Sequence, residues 1–167
     1  MFFKTHISNF SNAALILENG DIFPCSGIGK KGQITGELCF NTAMTGYQEA
    51  ITDPSYDSQL LMFTFPHIGI TGINKQDIES KKIYLNGVIF REISYDYSNW
   101  RAVSDLNSWL LKNNVIGITN INTRDLTIKI RETGAMKATL VNGIGKKIEF
   151  NNILDKTKAW GGISNLD

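Results

Sequence analysis

Short apolar runs separated by turn residues fill the first half of the chain. Residues 13–17 are all apolar, and they precede Asn19-Gly20, a pair that tolerates the positive φ angles of a tight hairpin turn, before apolar residues resume at 22–23. Apolar and polar positions then alternate in residues 36–40, as they do in a strand with one buried face. This pattern predicts a β-hairpin followed by a further strand.

Two denser apolar runs extend this β-rich half. Residues 60–65 are apolar apart from Thr64, and Pro66 is expected to end the strand that they form. Residues 84–90 contain Asn86-Gly87, which is compatible either with two short strands around a turn or with one strand that has an internal glycine. The first half of the chain is therefore predicted to be mainly β.

Helical spacing begins in the second half. Residues 106–110 place apolar side chains at helical intervals behind Ser104, a residue suited to the N-cap, and Asn113-Asn114 is expected to end this helix. Residues 115–118 then form an apolar run that predicts a strand. The order of elements changes here from strand after strand to alternating helix and strand.

The segment between Thr123 and Gly134 carries two conflicting signals. Every second residue from 126 to 130 is apolar, as in a strand, whereas Thr123 is suited to begin a helix and Gly134 to end one. The two end signals favour a helix. A strand at 138–141 and a last helix at about 153–160 complete a pattern that predicts an α/β fold.

Length and composition fit one domain. The 167 residues, of which 42% are hydrophobic, suffice for one well-buried core. We expect residues 1–12 to be a flexible N-terminal extension and residues 13–160 to form the domain. Residues 161–167 have the composition of a linker.

The charge balance excludes several classes of partner. Seventeen basic and sixteen acidic residues leave a net charge of +1, so no electrostatic excess would attract nucleic acid or an anionic membrane. The first residues contain no sustained apolar run, and we therefore expect a cytoplasmic protein without a signal peptide or membrane span. The two cysteines, Cys25 and Cys39, do not have the spacing of metal ligands, and we expect no metal site.

The densest group of chemically versatile residues lies at 41–56, just after a predicted strand. It combines hydroxyls, amides, a glycine and a proline, and loops that follow strands commonly carry binding groups. The same residue types are ordinary in turns and caps, so a binding site and a structural turn both stay open. Glu49 and Asp53 do not make a convincing acid–base pair, because a turn is expected to separate them.

A small hydrolase is one competing hypothesis, with Cys39 or Cys25 as the nucleophile and His67 as the base. Cys39 falls inside a predicted strand and Cys25 just past a hairpin arm, and neither lies in the glycine-flanked turn that activates such nucleophiles. Both positions are more typical of small core residues. Residues 27–32 are rich in glycine but lack the spacing of a phosphate-binding loop, and a plain loop between strands is favoured.

The segment at 41–56 also carries a family resemblance. Together with its flanks, it resembles the small subunit of carbamoyl-phosphate synthase, and the similarity extends over nearly the whole chain after the first ten or so residues. The motifs that carry it are Gly36-Glu37, Phe40-Asn41-Thr42, Met44-Thr45-Gly46-Tyr47-Gln48-Glu49, Thr52-Asp53-Pro54-Ser55-Tyr56, Pro66-His67-Ile68-Gly69, Ser98-Asn99-Trp100-Arg101, Asn122-Thr123-Arg124-Asp125-Leu126-Thr127 and Arg131-Glu132-Thr133-Gly134.

The resemblance implies a part of a ligase that forms C–N bonds. In that family the small subunit releases ammonia from glutamine, and the large synthetase subunit, which uses ATP and Mg, converts it to carbamoyl phosphate for arginine and pyrimidine biosynthesis. The small subunit combines an N-terminal domain of a swivelling β/β/α type with a glutamine amidotransferase domain that holds the catalytic residues. The resemblance therefore implies the N-terminal domain here, with residues 161–167 starting a linker to an amidotransferase domain that this sequence lacks.

The resemblance also implies site residues and partners. Ser55 aligns with the serine that reaches the glutamine substrate, and Tyr47 and Gln48 are expected to line the same region. The implied partners are the large subunit and the amidotransferase domain; no catalytic residue and no cofactor is expected in this domain, and the fragment alone is expected to be inactive. The alternative is a free-standing, non-catalytic binding or regulatory module. A domain cut from such partners is expected to expose apolar surface, with candidates Phe2, Phe3, Phe10, Trp160 and Ile163.

Overall fold

The computed structural model describes residues 11–144 and 149–163, which contain seven strands and four α-helices; apart from the first helix, these elements follow one another in the order that the sequence pattern predicts. The strands are β1 (Ala13–Leu17), β2 (Ile22–Gly29), β3 (Gly32–Asn41), β4 (Gln59–Ile68), β5 (Gly87–Ile93), β6 (Ile116–Thr119) and β7 (Met136–Asn142). The helices are α1 (Tyr47–Thr52), α2 (Leu106–Lys112), α3 (Thr123–Thr133) and α4 (Phe150–Ala159), with a 3₁₀ turn at Pro54–Tyr56.

The seven strands close into a barrel in the order β1-β2-β6-β5-β4-β3-β7. Strands β3, β4, β5 and β6 run parallel, whereas β1, β2 and β7 each run antiparallel to both of their neighbours. Because parallel neighbours need crossover connections, helices join most of them, and the carboxyl ends of five strands, β1 and β3 to β6, meet at one end of the barrel. The α/β class with a strand-rich first half is confirmed, while the swivelling β/β/α type stays a prediction.

Alternation along the strands divides the apolar residues between the barrel interior and its outer surface. In β4, Leu60 and Met62 point into the interior cluster, and Leu61 and Phe63 belong to a second cluster beneath α1 and α2. Helix α3 contributes Leu126 and Ile130 to the interior cluster and packs against β3, β4 and β5. Helix α4 covers a third, smaller cluster formed with β1 and β7. Both strand faces are therefore buried, which explains the dense apolar runs.

Two strand predictions change in the structure. Strand β4 continues through Pro66 to Ile68, with a shift of register against β5 between Phe63 and His67, because a proline is tolerated where the ladder is already interrupted. Neither alternative for residues 84–90 is correct: the strand begins at Gly87, so the glycine is its first residue and is not internal, and Tyr84 and Leu85 precede the strand without belonging to one.

The cysteine and glycine positions near the first hairpin are also clarified. Cys25 lies inside β2, not past its end, and Cys39 lies inside β3 as predicted. The predicted glycine-rich loop is shorter than expected, since β2 includes Gly29 and β3 begins at Gly32. The hairpin turn itself is confirmed, with Gly20 at a φ of 96°.

The N-caps of α2 and α3 each lie one residue from the predicted position, and α4 begins at Phe150, three residues before its predicted start. Asp105, not Ser104, caps α2, because its carboxylate accepts the Ser108 N–H at 2.9 Å. Asn122 takes the same role for α3 in place of Thr123, whereas the predicted helix end at Gly134 is confirmed. Helix α1 was not predicted, because it has only six residues and the residues around it are typical of turns.

Most of the predicted N-terminal extension and linker lies outside the residues that the structure describes. Residues 1–10 of the expected extension and residues 164–167 of the expected linker lie outside the described residues, as do Phe2, Phe3 and Phe10. Asn12 is hydrogen-bonded: its side-chain oxygen accepts the Gly27 N–H at 2.7 Å. Within residues 11–144 and 149–163, no helix has the length and apolar character needed to cross a membrane.

Candidate functional site around helix α1

Helix α1 follows the carboxyl end of β3 and presents a buried face of polar and apolar residues. It begins after Gly46, whose φ of 79° lies in the left-handed region that favours glycine. Tyr47 and Ile51, four residues apart, are buried on one face and pack in the cluster beneath the helix. Gln48 and Thr52 repeat the same spacing with polar side chains, which are also buried.

Tyr47 joins α1 to a long connection between β4 and β5. Its hydroxyl donates to the carbonyl of Gly72 at 2.6 Å and accepts from the hydroxyl of Thr71 at 3.0 Å. Burial raises the pKa of the Tyr47 phenol, and the hydrogen bond from Thr71 only partly offsets that shift. The phenol is therefore a neutral, structural donor near neutral pH.

Gln48 makes a two-point contact with the same connection. Its side-chain nitrogen donates to the carbonyl of Asn74 at 2.7 Å, and its side-chain oxygen accepts the N–H of Asn74 at 3.0 Å. Gln48 is only 3% exposed, and its one side chain pairs both backbone groups of the half-buried Asn74.

Thr52 makes the third link, at the last residue of α1. Its hydroxyl accepts the N–H of Glu79 at 2.9 Å and donates back to the carbonyl of Gln48 at 3.0 Å. We call the hydrogen bonds from Tyr47, Gln48 and Thr52 to the backbone of residues 72–79 the α1 latch. The latch fixes one short helix against a stretch that has no helix or continuous strand of its own.

Ser55 lies just beyond this latch, in the 3₁₀ turn. The carboxylate of Asp53 caps the turn by accepting the Ser55 N–H at 2.8 Å, and bonds from the Ser55 backbone and hydroxyl lower the pKa of Asp53. Ser55 itself is exposed. Tyr56 anchors the other end of the turn, since its hydroxyl accepts from the Asn41 side chain at 3.2 Å.

A cavity of about 430 Å³ opens beside α1, on the side of the connection to β5. Tyr47 and Gln48 are among its lining residues, whereas Ser55 is not, and the expectation that all three line one glutamine site stays a prediction. The ionisable side chains around it include Glu49, Asp77 and Arg101, and the last two form an ion pair at 3.5 Å. The structure therefore groups Tyr47 and Gln48 in one buried contact and leaves Ser55 on a separate, open surface.

Sequence reasoning missed the partners of the latch. Gly72, Asn74 and Glu79 lie 25 to 27 positions beyond their partners in α1. They act through backbone atoms, which no residue pattern identifies. The only available signal was the Pro66-His67-Ile68-Gly69 motif, which marks the start of this connection without naming its contacts.

The cysteine–histidine hypothesis finds no support in the geometry. The Cys39 thiol donates to the Gln59 side-chain oxygen at 3.2 Å, and burial raises the pKa of both Cys39 and Cys25 to about 12. His67 is exposed, with its ring against the edge of Phe65. Neither thiol has a histidine partner in the described part of the chain, so neither is activated as a nucleophile.

Exposed apolar side chains are present, but not at Trp160 or Ile163, the two expected positions that fall within the described residues. Trp160 and Ile163 are half-buried, whereas Trp100 is 93% exposed in the connection between β5 and α2. Tyr95, Tyr97 and Val103 are exposed in the same connection, and Ile70 is exposed in the neighbouring one. The two connections touch, because the Ser98 N–H donates to the carbonyl of Ile70 at 3.0 Å.

Comparison with known proteins connects this arrangement to one family. The family model described as carbamoyl-phosphate synthase small chain, CPSase domain, matches residues 15–140. Carbamoyl phosphate synthase small chains from Acinetobacter baylyi and Caulobacter vibrioides are 44% and 41% identical, over 93% and 92% of this chain. The one from Aquifex aeolicus is 49% identical over 77% of this chain.

These matches also define which part of the family the chain represents. The chain spans about two fifths of the length of these relatives, namely 41% of the Acinetobacter protein, 40% of the Caulobacter protein and 34% of the Aquifex protein. The latch residues Tyr47, Gln48 and Thr52 and the exposed Ser55 all fall inside the matched region. The chain belongs to the carbamoyl-phosphate synthase small-chain family and corresponds to its N-terminal CPSase domain.

Proposed function

We propose that this chain serves as the N-terminal domain of the small, glutaminase subunit of a carbamoyl-phosphate synthase. In this role it docks on the large synthetase subunit and helps to complete the glutamine site of an amidotransferase domain. The amidotransferase domain releases ammonia, and the large subunit uses ATP and Mg to form carbamoyl phosphate for arginine and pyrimidine biosynthesis in the cytoplasm. The family membership supports this role, and the domain itself supplies no catalytic residue.

The observation that carries the proposal is the state of Ser55. It is exposed in a turn that is capped by Asp53 and anchored through Tyr56, so a surface side chain is held in a defined place. Fixed but open side chains lose little conformational entropy when they bind, and this favours a contact with a substrate held by a neighbouring domain. Tyr47 and Gln48 are committed to internal hydrogen bonds and support the region without a contact of their own.

The decisive experiment compares two nitrogen sources in the assembled enzyme. The domain is joined to an amidotransferase domain and paired with a synthetase subunit, and synthesis is measured with glutamine and with ammonia. Ser55→Ala should raise the KM for glutamine by roughly threefold to tenfold, the effect of one lost hydrogen bond. Ammonia-dependent synthesis should be unchanged, because ammonia bypasses the glutamine site.

A matched control uses another exposed serine. Ser108→Ala changes a serine on α2 and should leave both reactions as they are. Equal damage to both reactions by Ser55→Ala would mean that Ser55 maintains the turn or a subunit interface. An unchanged glutamine requirement would show that Ser55 does not contact glutamine.

Docking and inactivity can be tested separately. The chain should bind the synthetase subunit in a direct binding assay, and failure to bind would favour the free-standing module. On its own the chain should release no ammonia from glutamine above background, because no activated nucleophile is present among its described residues. Turnover that disappears in Cys39→Ala would instead support the hydrolase hypothesis.

A further inference from the structure

The connection that receives the α1 latch is itself held in place by contacts that do not involve α1. Asn74 accepts the backbone N–H groups of Gln76 and Asp77 through its side-chain oxygen, both at 2.8 Å, and donates to the Asp77 carboxylate at 2.6 Å. Ile73 pairs with the chain before α2: its N–H donates to the carbonyl of Ser104 at 2.9 Å. Residues 73–77 therefore provide a fixed reference against which α1 can be located.

Helix α1 needs such a reference because it is short. A helix of six residues is not stable in isolation, since the cost of nucleation exceeds the few hydrogen bonds it gains. Its position depends on the apolar contacts of Tyr47 and Ile51 and on the latch. Apolar contacts are not directional, whereas the three polar links define how far along its axis the helix lies and how it is rotated.

Thr52 links the position of helix α1 to that of the 3₁₀ turn. It is the last residue of α1 and is directly bonded to Asp53, whose carboxylate caps the turn by accepting the Ser55 N–H. Only two residues, Asp53 and Pro54, lie between Thr52, whose hydroxyl accepts the Glu79 N–H, and the exposed Ser55. A displacement of Thr52 must therefore move the cap, and with it the side chain of Ser55.

We propose that Thr52, supported by Gln48, is a positioning residue for glutamine use: it sets the place of the Ser55 hydroxyl through its hydrogen bond to the backbone of Glu79. This inference rests on the proposed function, in which Ser55 contacts glutamine. Neither Thr52 nor Gln48 touches the substrate in this scheme. Their effect on glutamine passes entirely through the turn that carries Ser55.

The test uses a pair of substitutions at Thr52 in the assembled enzyme. Thr52→Val keeps the shape of the side chain but removes the hydroxyl, and it should raise the KM for glutamine about threefold to tenfold while ammonia-dependent synthesis is unchanged. Thr52→Ser restores the hydroxyl and should restore the KM. Thr157→Val is the matched control, because Thr157 is an equally buried threonine on α4, and it should not alter the glutamine requirement.

A double substitution separates positioning from a general loss of stability. If Thr52 acts through Ser55, Thr52→Val should add nothing to the KM already raised by Ser55→Ala. If the fold-changes in KM of the two single variants multiply in the double variant, the inference is overturned. It is also overturned if Thr52→Val and Thr52→Ser have equal effects, or if glutamine-dependent and ammonia-dependent synthesis are lost equally. If Thr52→Val fails to fold, Gln48→Asn replaces it, since this substitution shortens the amide side chain by one methylene. It should likewise raise the KM for glutamine, leave ammonia-dependent synthesis unchanged and add nothing to the effect of Ser55→Ala.

A measurement without catalysis distinguishes failure of this inference from failure of the proposed function. In the 167-residue chain, the Ser55 amide resonance should shift in Thr52→Val and return in Thr52→Ser. A Ser55 amide resonance that does not shift in Thr52→Val overturns the positioning role, whatever value the KM for glutamine takes. A moved resonance combined with an unchanged glutamine KM in Ser55→Ala shows that the linkage exists but that Ser55 is not the glutamine contact, and it overturns the inference as stated.

Discussion

Two buried polar clusters in this domain serve different purposes. One is the α1 latch, in which side chains bond to the backbone of an irregular connection. The other is a threonine chain across β3, β7 and α4: the Thr139 hydroxyl lies 2.7 Å from that of Thr35 and 2.6 Å from that of Thr157. The first joins irregular backbone to a helix, and the second joins elements that are already regular.

The two clusters differ in which backbone groups would lose their hydrogen-bond partner if a side chain of the cluster were removed. The backbone groups of β3 and β7 pair with each other in the barrel, so the threonines only add side-chain bonds between elements. Asn74 and Glu79 have no such ladder, and Gln48 and Thr52 are the partners of the Asn74 N–H and carbonyl and of the Glu79 N–H. Polar residues next to irregular backbone therefore carry more of the local structure than similar residues inside a sheet.

The largest expected effect tests this contrast directly. Gln48→Leu keeps most of the side-chain volume but leaves both the N–H and the carbonyl of the half-buried Asn74 without their partner, and it should lower the free energy of unfolding by about 3 kcal/mol. Urea denaturation of the 167-residue chain measures the change. Gln33→Leu, at an exposed position in β3, should change it by less than about 0.5 kcal/mol. Similar losses in both variants would contradict the special role of the latch.

A smaller loss is expected in the threonine chain. Thr139→Val removes the central hydroxyl, yet Thr157 keeps its bond to the carbonyl of Ile153 at 2.7 Å and no backbone group is left unpaired. The free energy of unfolding should fall by about 1 kcal/mol in the same urea experiment. Amide exchange at Asn74 and Glu79 should be unaffected by this substitution. A loss as large as that of Gln48→Leu would remove the distinction between the two clusters.

Alkaline pH should act on the latch and spare the threonine chain. Burial raises the pKa of Tyr47 above that of an unfolded tyrosine, so the folded state holds this proton more tightly. The stability that Tyr47 contributes is complete below the unfolded pKa of about 10 and is lost as pH rises through the folded pKa. Unfolding measured between pH 9 and about 11.5 should show this loss, and Tyr47→Phe should remove it. An unchanged pH profile in Tyr47→Phe would refute the assignment.

The smallest effect is expected at acid pH in the turn beyond the latch. The bonds from Ser55 lower the pKa of Asp53, so the capped turn gains stability above the unfolded pKa of about 4 and loses it as pH falls through the folded value. Because Asp53 lies at the surface, global unfolding should hardly change. The Ser55 amide resonance should titrate with Asp53, and Asp53→Asn should abolish that titration. A resonance that titrates with another group would show that the cap does not govern the turn.

Local patterns were sufficient for the regular part of the fold. The apolar run at 13–17 with Asn19-Gly20 predicts the β1–β2 hairpin, and the end signals around α3 outweigh an alternation that resembles a strand. These predictions succeed because each depends on neighbours within a few residues. The prediction for Pro66 failed for the opposite reason: whether a proline ends a strand depends on the partner strand, and β5 shifts its register there.

The sequence by itself determined the family, the α/β class and the segment in which the candidate site lies. It did not separate Tyr47 and Gln48 from Ser55, although all three stand within nine positions of one another. Tertiary structure decided that the first two are buried against residues 72–74 while Ser55 stays exposed. The reason is physical: their partners are backbone atoms more than twenty residues away, which every residue type offers alike, so only the folded path of the chain brings them together.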